Sequence, residues 1–398
     1  MVAASSRPAG SGLTSGSVSG SVSGSVSGAV AGSVSGAVSG SAAGPVAGLA
    51  PATRAPARRP PGGGSRRVAI IAPILVLLLL LSIVVAVTFG PADIGIGEVW
   101  ATIAHHLGIG DGTSSTLRDG IIWQLRMPRV LTAALVGAGL AVSGAVMQGL
   151  TRNPLADPYL LGLSSGASLG AVAVLLLGVS LLLPVAAFVG ALLALTLTVL
   201  LAGIGGRLTP TRMVLAGLAV SSLAASVTSF VIFWTATGDS YREILSWLMG
   251  SLSGAGWSAV TIAAVGFAVA GLPLLFAGRL LDSFAFGDTA AASLGVNVQT
   301  ARLGLLAGTA LLTGAMVSVS GSIGFVGLIL PHAVRLLVGP GYRALLPLVA
   351  LVGAIFLIWT DTIARTLLDP REIPVGIVTA LIGAPVFALL LGRNRRIS

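Results

Sequence analysis

Long apolar runs separated by short polar segments dominate the chain from about residue 68 onward. Most runs hold about 18 to 25 residues, which is the length that a helix needs to cross roughly 30 Å of hydrocarbon. The strands of a membrane barrel would instead alternate in hydrophobicity over about 10 residues. The pattern predicts an all-α membrane protein with about ten transmembrane helices, at 68–90, 130–150, 160–183, 185–206, 213–237, 258–278, 301–320, 323–338, 344–362 and 373–392.

The first 67 residues have a different composition, with "SGSVSGSVSGSVSGAVAGSVSGAVSG" followed by "PATRAPARRPPGGGSRR". A Gly/Ser repeat has too little apolar surface to offset the entropy lost on ordering it. A targeting peptide is disfavoured because the apolar run that follows is long and lacks a clear cleavage site between small residues. We therefore predict a disordered cytoplasmic tail at 1–67 and a ten-span domain at 68–398.

The overall composition supports a membrane protein and excludes several functions. Hydrophobic residues make up 55% of the 398 residues and charged residues 9%, with a mean hydropathy of +1.01. All 22 basic residues are arginine, so a phosphate-binding loop, which needs a lysine, is absent and ATP hydrolysis would require a partner. Cysteine is absent, which excludes disulfides and thiolate metal sites. Nucleic-acid binding is not expected despite the net charge of +10, because the arginines form no basic face.

The arginines predict the orientation, because basic residues are retained on the cytoplasmic side of a membrane. With the N-terminus inside, most arginines fall in the inner segments and most acidic residues in the outer ones. Both termini are therefore predicted to be cytoplasmic.

An internal repeat appears when the chain is shifted by 177 positions. Residues 132–162 overlay residues 309–339 without a gap and match at 12 of 31 positions. Five predicted spans separate the copies, so the copies would enter the membrane from opposite sides. Inverted repeats of this kind are typical of transporters, and a proline shared by both copies points to paired helix breaks. We expect these breaks at Pro154 and Pro331.

The polar residues form no catalytic group, and neither a metal site nor a cofactor is expected. His105 and His106 are interpreted as solvated loop residues. His332 is interpreted as a partner for backbone groups freed near Pro331. Asp361 is interpreted as half of a helix-end pair with Arg365 rather than as a proton-coupling group.

Two segments suggest contacts with other proteins. Arginines lie on the predicted outer face against the general bias, at Arg126 in "WQLRMPRVL" and at Arg365 in "DTIARTLLDPREIPVG". We expect them to bind acidic residues of an external protein. The longest inner connection contains "DTAAASLG", which predicts a short helix capped by Asp288 and ended by Gly295. Such a helix, standing free of the membrane, is a candidate contact for a partner.

Several motifs together resemble one family. They are "RMPRVLTAALVGAGLAVSGAVMQGLTRNPLADPYLLG", "ILSWLMGSLSG", "GDTAAASLG" and "GSIGFVGLILPHAVRLLVGP" with "REIPVGIVTALIGAPVFALLLGR". In this order they resemble the FecCD-type permease subunits of ABC importers for iron-siderophores, haem and cobalamin. The resemblance covers about residues 70 to 395.

The resemblance implies a type II importer permease, not an enzyme, in a bacterial cell membrane. Its implied partners are two cytoplasmic ATP-binding subunits, an extracytoplasmic substrate-binding protein, a second permease copy or paralogue, and lipid. The implied substrate is a ferric siderophore, with haem or cobalamin as alternatives; an ion-coupled secondary transporter is a further alternative suggested by the repeat. The implied site residues are Arg126 and Arg365 for docking, Gly287, Asp288, Ala291, Leu294 and Gly295 for ATPase coupling, and Pro210 and Thr211 for the cytoplasmic gate.

Overall fold

The computed structural model describes residues 63–90, 94–109, 115–179, 182–204, 206, 208–235, 237–368 and 371–394. The predicted disordered tail lies outside the described residues up to position 62. The first helix begins at Gly63, so it includes the last five residues of the predicted tail. All regular structure in the described residues is helical, which confirms the all-α prediction.

The helices are numbered along the chain. They are α1 (Gly63–Thr88), α2 (Ile96–His106), α3 (Thr116–Gly120), α4 (Met127–Thr151), α5 (Leu163–Leu176), α6 (Leu183–Gly203), α7 (Pro210–Thr235), α8 (Gly238–Leu248), α9 (Trp257–Gly266), α10 (Leu272–Phe276), α11 (Gly278–Phe284), α12 (Asp288–Ser293), α13 (Val298–Ser320), α14 (Val326–Val338), α15 (Tyr342–Thr366) and α16 (Val375–Asn394).

Each of the ten predicted spans coincides with an apolar helical segment. Among the described residues, seven such segments are long and apolar enough to cross a membrane, and three shorter ones lie at Leu163–Leu176, Val326–Val338 and Val375–Leu389. A π-helical stretch at Ile121–Arg126 joins α3 to α4 without interruption. A second one at Phe267–Gly271 joins α9 to α10.

The centre of the fold is α4, which packs most extensively against α15 and also against α13 and α14. Glycines permit this close packing. A Cβ atom on Gly137 would overlap the carbonyl of Gly353 in α15, and one on Gly144 would overlap the carbonyl of Gly327 in α14. Small residues let helix backbones approach closely where lipid provides no hydrophobic driving force between helices. The glycines of α4 thus allow this helix to lie at the centre of the fold.

The helix break expected at Pro331 is not there, because Pro331 lies inside α14. A proline in a helix lacks the N–H that would bond the carbonyl four residues earlier. The buried side chain of Gln148 in α4 supplies a donor instead, with Nε2 at 3.0 Å from the Leu328 oxygen and 3.5 Å from the Gly327 oxygen. The role assigned to His332 therefore belongs to Gln148.

The actual break in this region lies at residues 321–325, between α13 and α14. Gly321 and Phe325 adopt positive φ angles of 66° and 70°. Pro154 does lie in a non-helical segment, after α4. Ser143 aligns with Ser320, yet α4 continues to Thr151 while α13 ends at Ser320. The two breaks are thus not at equivalent positions of the repeat.

Candidate functional site

The candidate site residues fall at the two ends of α4. This helix has 25 residues and, at about 1.5 Å per residue, is about 37 Å long, close to the thickness of a bilayer. Arg126 and Arg129 lie at its first end. Beyond its other end, Arg152 Nη1 lies 3.2 Å from the position that a Cβ atom on Gly287 would take. The proposed docking and coupling residues are therefore on opposite sides of the fold.

At the first end, three arginines and two carboxylates form the arginine cluster, which consists of Arg126, Arg129, Asp361, Arg365 and Glu372. Arg129 donates from Nε and Nη2 to Asp361 at 3.0 to 3.1 Å, and from Nη1 to Glu372 at 2.8 Å. Arg365 Nε lies farther from Asp361, at 4.0 Å. The expected pair of Asp361 with Arg365 is therefore present, but Asp361 pairs more closely with Arg129, a partner 232 positions away.

The two predicted docking arginines bind the end of α1. Arg365 Nη2 donates to the Ala86 oxygen at 2.8 Å, and Arg126 Nη1 donates to the Val87 and Thr88 oxygens at 3.2 and 3.1 Å. The last carbonyls of a helix lack partners within the helix and carry partial negative charge. The arginines therefore cap α1, and only 5% of Arg126 and 3% of Arg365 is exposed.

The arginine cluster borders a cavity of about 160 Å³. Its walls include Arg126, Arg129, Arg365 and Glu372, together with Ser253 from the connection after α8. Three arginines against two carboxylates give the cluster a formal charge of +1. The cavity can thus accommodate a small anionic group next to the arginines.

His106 is exposed, as expected, but it lies in a helix rather than in a loop. It is the last residue of α2, and its ring stacks on Trp123 with centroids 4.1 Å apart and an interplanar angle of 5°. Its Nε2 atom lies 3.0 Å from Asp119 Oδ1. Arg118 also donates to Glu98 of α2, at 2.6 Å. These contacts fasten α2 to the start of the segment that leads into α4.

At the second end, α12 is the short helix predicted from "DTAAASLG". Asp288 is its first residue rather than its cap, because Gly287 takes the cap position with a φ angle of 98°. Ala291 is fully buried, and Gly295 follows the helix with a φ angle of 83°. Large apolar side chains flank α12 in exposed positions, with 84% of Phe286 and 71% of Leu294 accessible.

The carboxylate of Asp288 is held by Arg302 at the start of α13. Arg302 Nη2 donates to both Asp288 oxygens at 2.9 Å. Its Nη1 donates to the Leu208 oxygen at 3.0 Å. Leu208 precedes Pro210, the first residue of α7, and Thr211 next to it is exposed. One arginine thus joins the predicted coupling helix to the segment predicted as the gate.

The non-helical residues 321–325 are fastened to the connection between α4 and α5. The Tyr159 hydroxyl donates to the Ile323 oxygen at 3.0 Å and accepts from the Ile323 N–H at 3.2 Å. Ser164 and Ser322 join through their hydroxyls at 2.7 Å. Asp157 accepts from the Tyr159 N–H at 2.8 Å, and burial raises its pKa to about 6. Burial also raises the pKa of Tyr159.

Sequence reasoning missed Gln148, Tyr159 and the bridging role of Arg302. Their partners lie 179, 164 and 94 positions away in the chain. A polar residue inside an apolar run was the available signal for each, since a polar group in such a run needs a partner. That signal identifies the residue but not the partner.

The chain matches the family model described as the FecCD transport family over residues 77–393. It is 42% identical over 323 residues to an uncharacterized ABC transporter permease protein, YvrB, of Bacillus subtilis, covering 79% of this chain and 91% of YvrB. It is 44% identical over 298 residues to the cobalamin import system permease protein BtuC of Halobacterium salinarum, covering 74% of this chain and 79% of BtuC.

A third relative is the hemin transport system permease protein HmuU of Yersinia pestis, with 44% identity over 283 residues, 69% of this chain and 84% of HmuU. A solved structure is similar over 82% of this chain and 99% of its own chain, with a TM-score of 0.70 and 33% identity. It is described as an inward-facing conformation of a candidate metal-chelate type ABC transporter.

Proposed function

Because the chain belongs to the FecCD transport family, in which it is a permease subunit of an ABC importer, we propose that it imports ferric siderophores. Relatives named for Fe(3+)-citrate and iron(3+)-hydroxamate import support this, with 40% identity over 300 residues and 39% over 320 residues. The family match over residues 77–393 is the observation on which the proposal depends. A permease is a transport component and performs no bond chemistry.

Haem or cobalamin is the second candidate substrate. The relatives named for hemin and cobalamin are each 44% identical to this chain, which favours these ligands as much as the iron chelates. The ion-driven secondary transporter suggested by the repeat is disfavoured, because similar proteins are named as an ABC transporter permease and an ABC transporter.

We infer that α12 is the contact for the ATP-binding subunits, with Gly287, Asp288, Ala291, Leu294 and Gly295 as its functional residues. Buried Ala291 packs α12 onto the fold, whereas Leu294 faces outward. Exposed large apolar side chains of this kind favour a protein interface. Two ATP-binding subunits would each engage one permease of a pair, so a second copy or a paralogue completes the pathway.

We infer that Arg126 and Arg365 receive the substrate-binding protein. Both side chains are buried beside the cavity of about 160 Å³. An acidic side chain of the partner would therefore reach into this cavity instead of pairing on an open surface. The positive charge of the arginine cluster favours such a group.

The orientation that follows is a multi-pass protein of the bacterial cell membrane with both termini in the cytoplasm. The arginine cluster would then face outward and α12 inward. Pro210 and Thr211, at the start of α7, would form the cytoplasmic gate with their counterparts in the second permease. ATP binding would favour one of two permease conformations by moving α12.

The substrate is tested by uptake into vesicles that contain the full chain with its ATP-binding and substrate-binding partners. We expect ATP-dependent uptake of a radioiron hydroxamate and none of hemin or cyanocobalamin. Uptake of hemin or cyanocobalamin alone would transfer the assignment to that ligand. Uptake without ATP or partner subunits would contradict an ABC permease.

The docking site is tested by Arg126→Glu combined with Arg365→Glu. We expect the affinity for the binding protein and the uptake rate to fall, because like charges then meet across the interface. Arg371→Glu, which changes an exposed arginine close to Glu372, serves as the control. Membrane insertion and the melting temperature are measured in parallel, since both arginines also cap α1. Unchanged affinity in a folded double variant would remove the docking role.

A further inference from the structure

Arg302 contacts three separate parts of the chain at the end of the fold where α12 lies. Its guanidinium bonds both carboxylate oxygens of Asp288 in α12 and the Leu208 oxygen before α7. It also lies 6.0 Å above the ring of Phe284, the last residue of α11. A planar guanidinium can hold two partners in fixed directions, which an ammonium group cannot.

The environment of Arg302 makes this bridge stiff. Only 6% of Arg302 is exposed, so water competes little for its hydrogen bonds. The Asp288 carboxylate is 40% exposed, so it is the solvent-accessible part of the bridge. Leu208 is itself buried, and its carbonyl has a charged donor. A displacement of α12 would pull on the Leu208 backbone or leave a buried charge without its partner.

The bridge reaches α7 because Leu208 lies just before that helix. Two residues later, Pro210 starts α7, a helix of 26 residues. Arg152, the residue after α4, lies near Gly287, which precedes α12. The neighbouring residues Gly287 and Asp288 are thus each close to an arginine, one that follows the central helix and one that also bonds the segment before α7.

We propose that Arg302 is the positioning residue that transmits movement of α12 to the start of α7. The proposal rests on the proposed function, in which α12 contacts the ATP-binding subunits and Pro210 and Thr211 form the gate. Arg302 holds the two segments as one mechanical unit. A shift of α12 therefore changes the position of the α7 start through the Arg302 side chain.

The link is tested first on the chain alone, which has no native cysteine. Spin labels are attached after Thr209→Cys and Ser293→Cys, both at exposed positions on either side of the bridge. Electron-spin distance measurements in nanodiscs should give one narrow distribution. Arg302→Gln should broaden it, because glutamine cannot reach Asp288 and Leu208 together.

A second, milder variant allows the link to be tested even if Arg302→Gln does not fold. Asp288→Asn keeps the bond from Arg302 to Leu208 but removes the charge on the α12 side, so it should also broaden the distribution. Arg343→Gln, which changes an exposed arginine at the start of α15, should leave it narrow. A distribution that stays narrow in Asp288→Asn and in a folded Arg302→Gln would overturn the link.

The assembled transporter supplies the second measurement, the ATP hydrolysed per radioiron hydroxamate imported. Arg302→Gln should still co-purify with the ATP-binding subunits but raise this ratio about fivefold or more, a typical size for a lost coupling between two sites. An unchanged ratio would overturn the transmitting role even if the distances change. If the parent chain recruits no ATP-binding subunits, the proposed function fails, whereas the spin-label result still decides whether Arg302 joins the two segments.

Discussion

Gln148 and Pro331 show how a single side chain can replace a backbone hydrogen bond within the fold. Pro331 has no N–H for the Gly327 carbonyl four residues earlier. Gln148 Nε2 lies 3.5 Å from that oxygen and 3.0 Å from the neighbouring Leu328 oxygen. Only 2% of Gln148 is exposed, so water does not provide the donor. In a membrane-spanning helix, backbone groups freed by proline must be satisfied by neighbouring groups. The proline and the glutamine therefore depend on each other.

A double-mutant cycle measures this dependence. Gln148→Met removes the donor while keeping the shape of the side chain, and should lower the free energy of unfolding by about 1 kcal/mol. The loss should shrink in a chain with Pro331→Ala, because alanine restores the backbone N–H at this position. Thermal unfolding in detergent of the four chains gives the coupling. Equal losses in both backgrounds would show that the two residues act independently.

A second single residue, Asp157, should make the stability of the fold depend on pH. Burial raises its pKa from 3.8 to about 6, so the folded chain holds this proton more tightly than the unfolded chain does. The stabilisation that the protonated Asp157 provides is complete at pH values below the pKa of Asp157 in the unfolded chain. It is lost as the pH rises through about 6, the pKa in the folded chain.

Asp157→Asn should remove this dependence while keeping an acceptor for the Tyr159 N–H. The melting temperature of the parent chain should therefore fall more steeply than that of the variant between about pH 4 and about pH 7. Comparing the two pH profiles cancels the other titrating groups. Parallel profiles would show that Asp157 has an ordinary pKa in the folded chain.

At the scale of the helices, α4 and α14 depend on a contact between glycines. A Cβ atom on Gly144 would overlap the Gly327 carbonyl, whereas one on Gly304 in α13 would meet nothing within 4 Å. Both glycines lie within helices, so alanine raises the helix propensity equally at each site.

Gly144→Ala should lower the free energy of unfolding by about 1 to 3 kcal/mol, because the helices must move apart. Gly304→Ala should be neutral or stabilising by up to about 1 kcal/mol. Melting temperatures of the two variants in the same detergent test the difference. The same response from both would show that the packing of α4 on α14 adapts to an added methyl group.

The sequence predicted the helices well, including the gap between the predicted spans 301–320 and 323–338, but it placed one helix break wrongly, at Pro331. Hydrocarbon thickness sets the length of an apolar run, so every predicted span coincides with a helix. The break at 321–325 depends on distant contacts, such as the Ser251 N–H on the Ser320 oxygen and Tyr159 on Ile323. The repeat pointed to Pro331 because proline is the obvious local signal, but a neighbouring helix satisfies the groups it frees.

In the candidate site, too, local patterns were predictable from the sequence and contacts between distant residues were not. The Asp288 helix was predictable because its pattern is local, and its position as the first helical residue differs from the prediction by one residue. The pairs Arg129 with Asp361 and Arg302 with Leu208 were not, because their members are 232 and 94 positions apart. Charge bias identified Arg126 and Arg365, but not that α1 ends against them.

At the scale of the whole molecule, α4 separates two polar regions of different character. The arginine cluster lies at its start and the segment around α12 beyond its end. With about 37 Å between them, both regions can meet water on opposite sides of one bilayer. The two proposed partner contacts are thus far enough apart to be occupied at the same time.

Labelling of single cysteines tests this arrangement, since the native chain has none. Leu117→Cys lies at the arginine-cluster end, where Leu117 is 76% exposed, and Ser293→Cys lies on exposed α12. In intact cells a membrane-impermeant maleimide should modify Leu117→Cys alone, and Ser293→Cys should react only after the membrane is opened. Basic residues at the α12 side favour this orientation. The reverse labelling pattern would invert the topology and place the proposed docking cavity in the cytoplasm, where no extracytoplasmic binding protein could reach it.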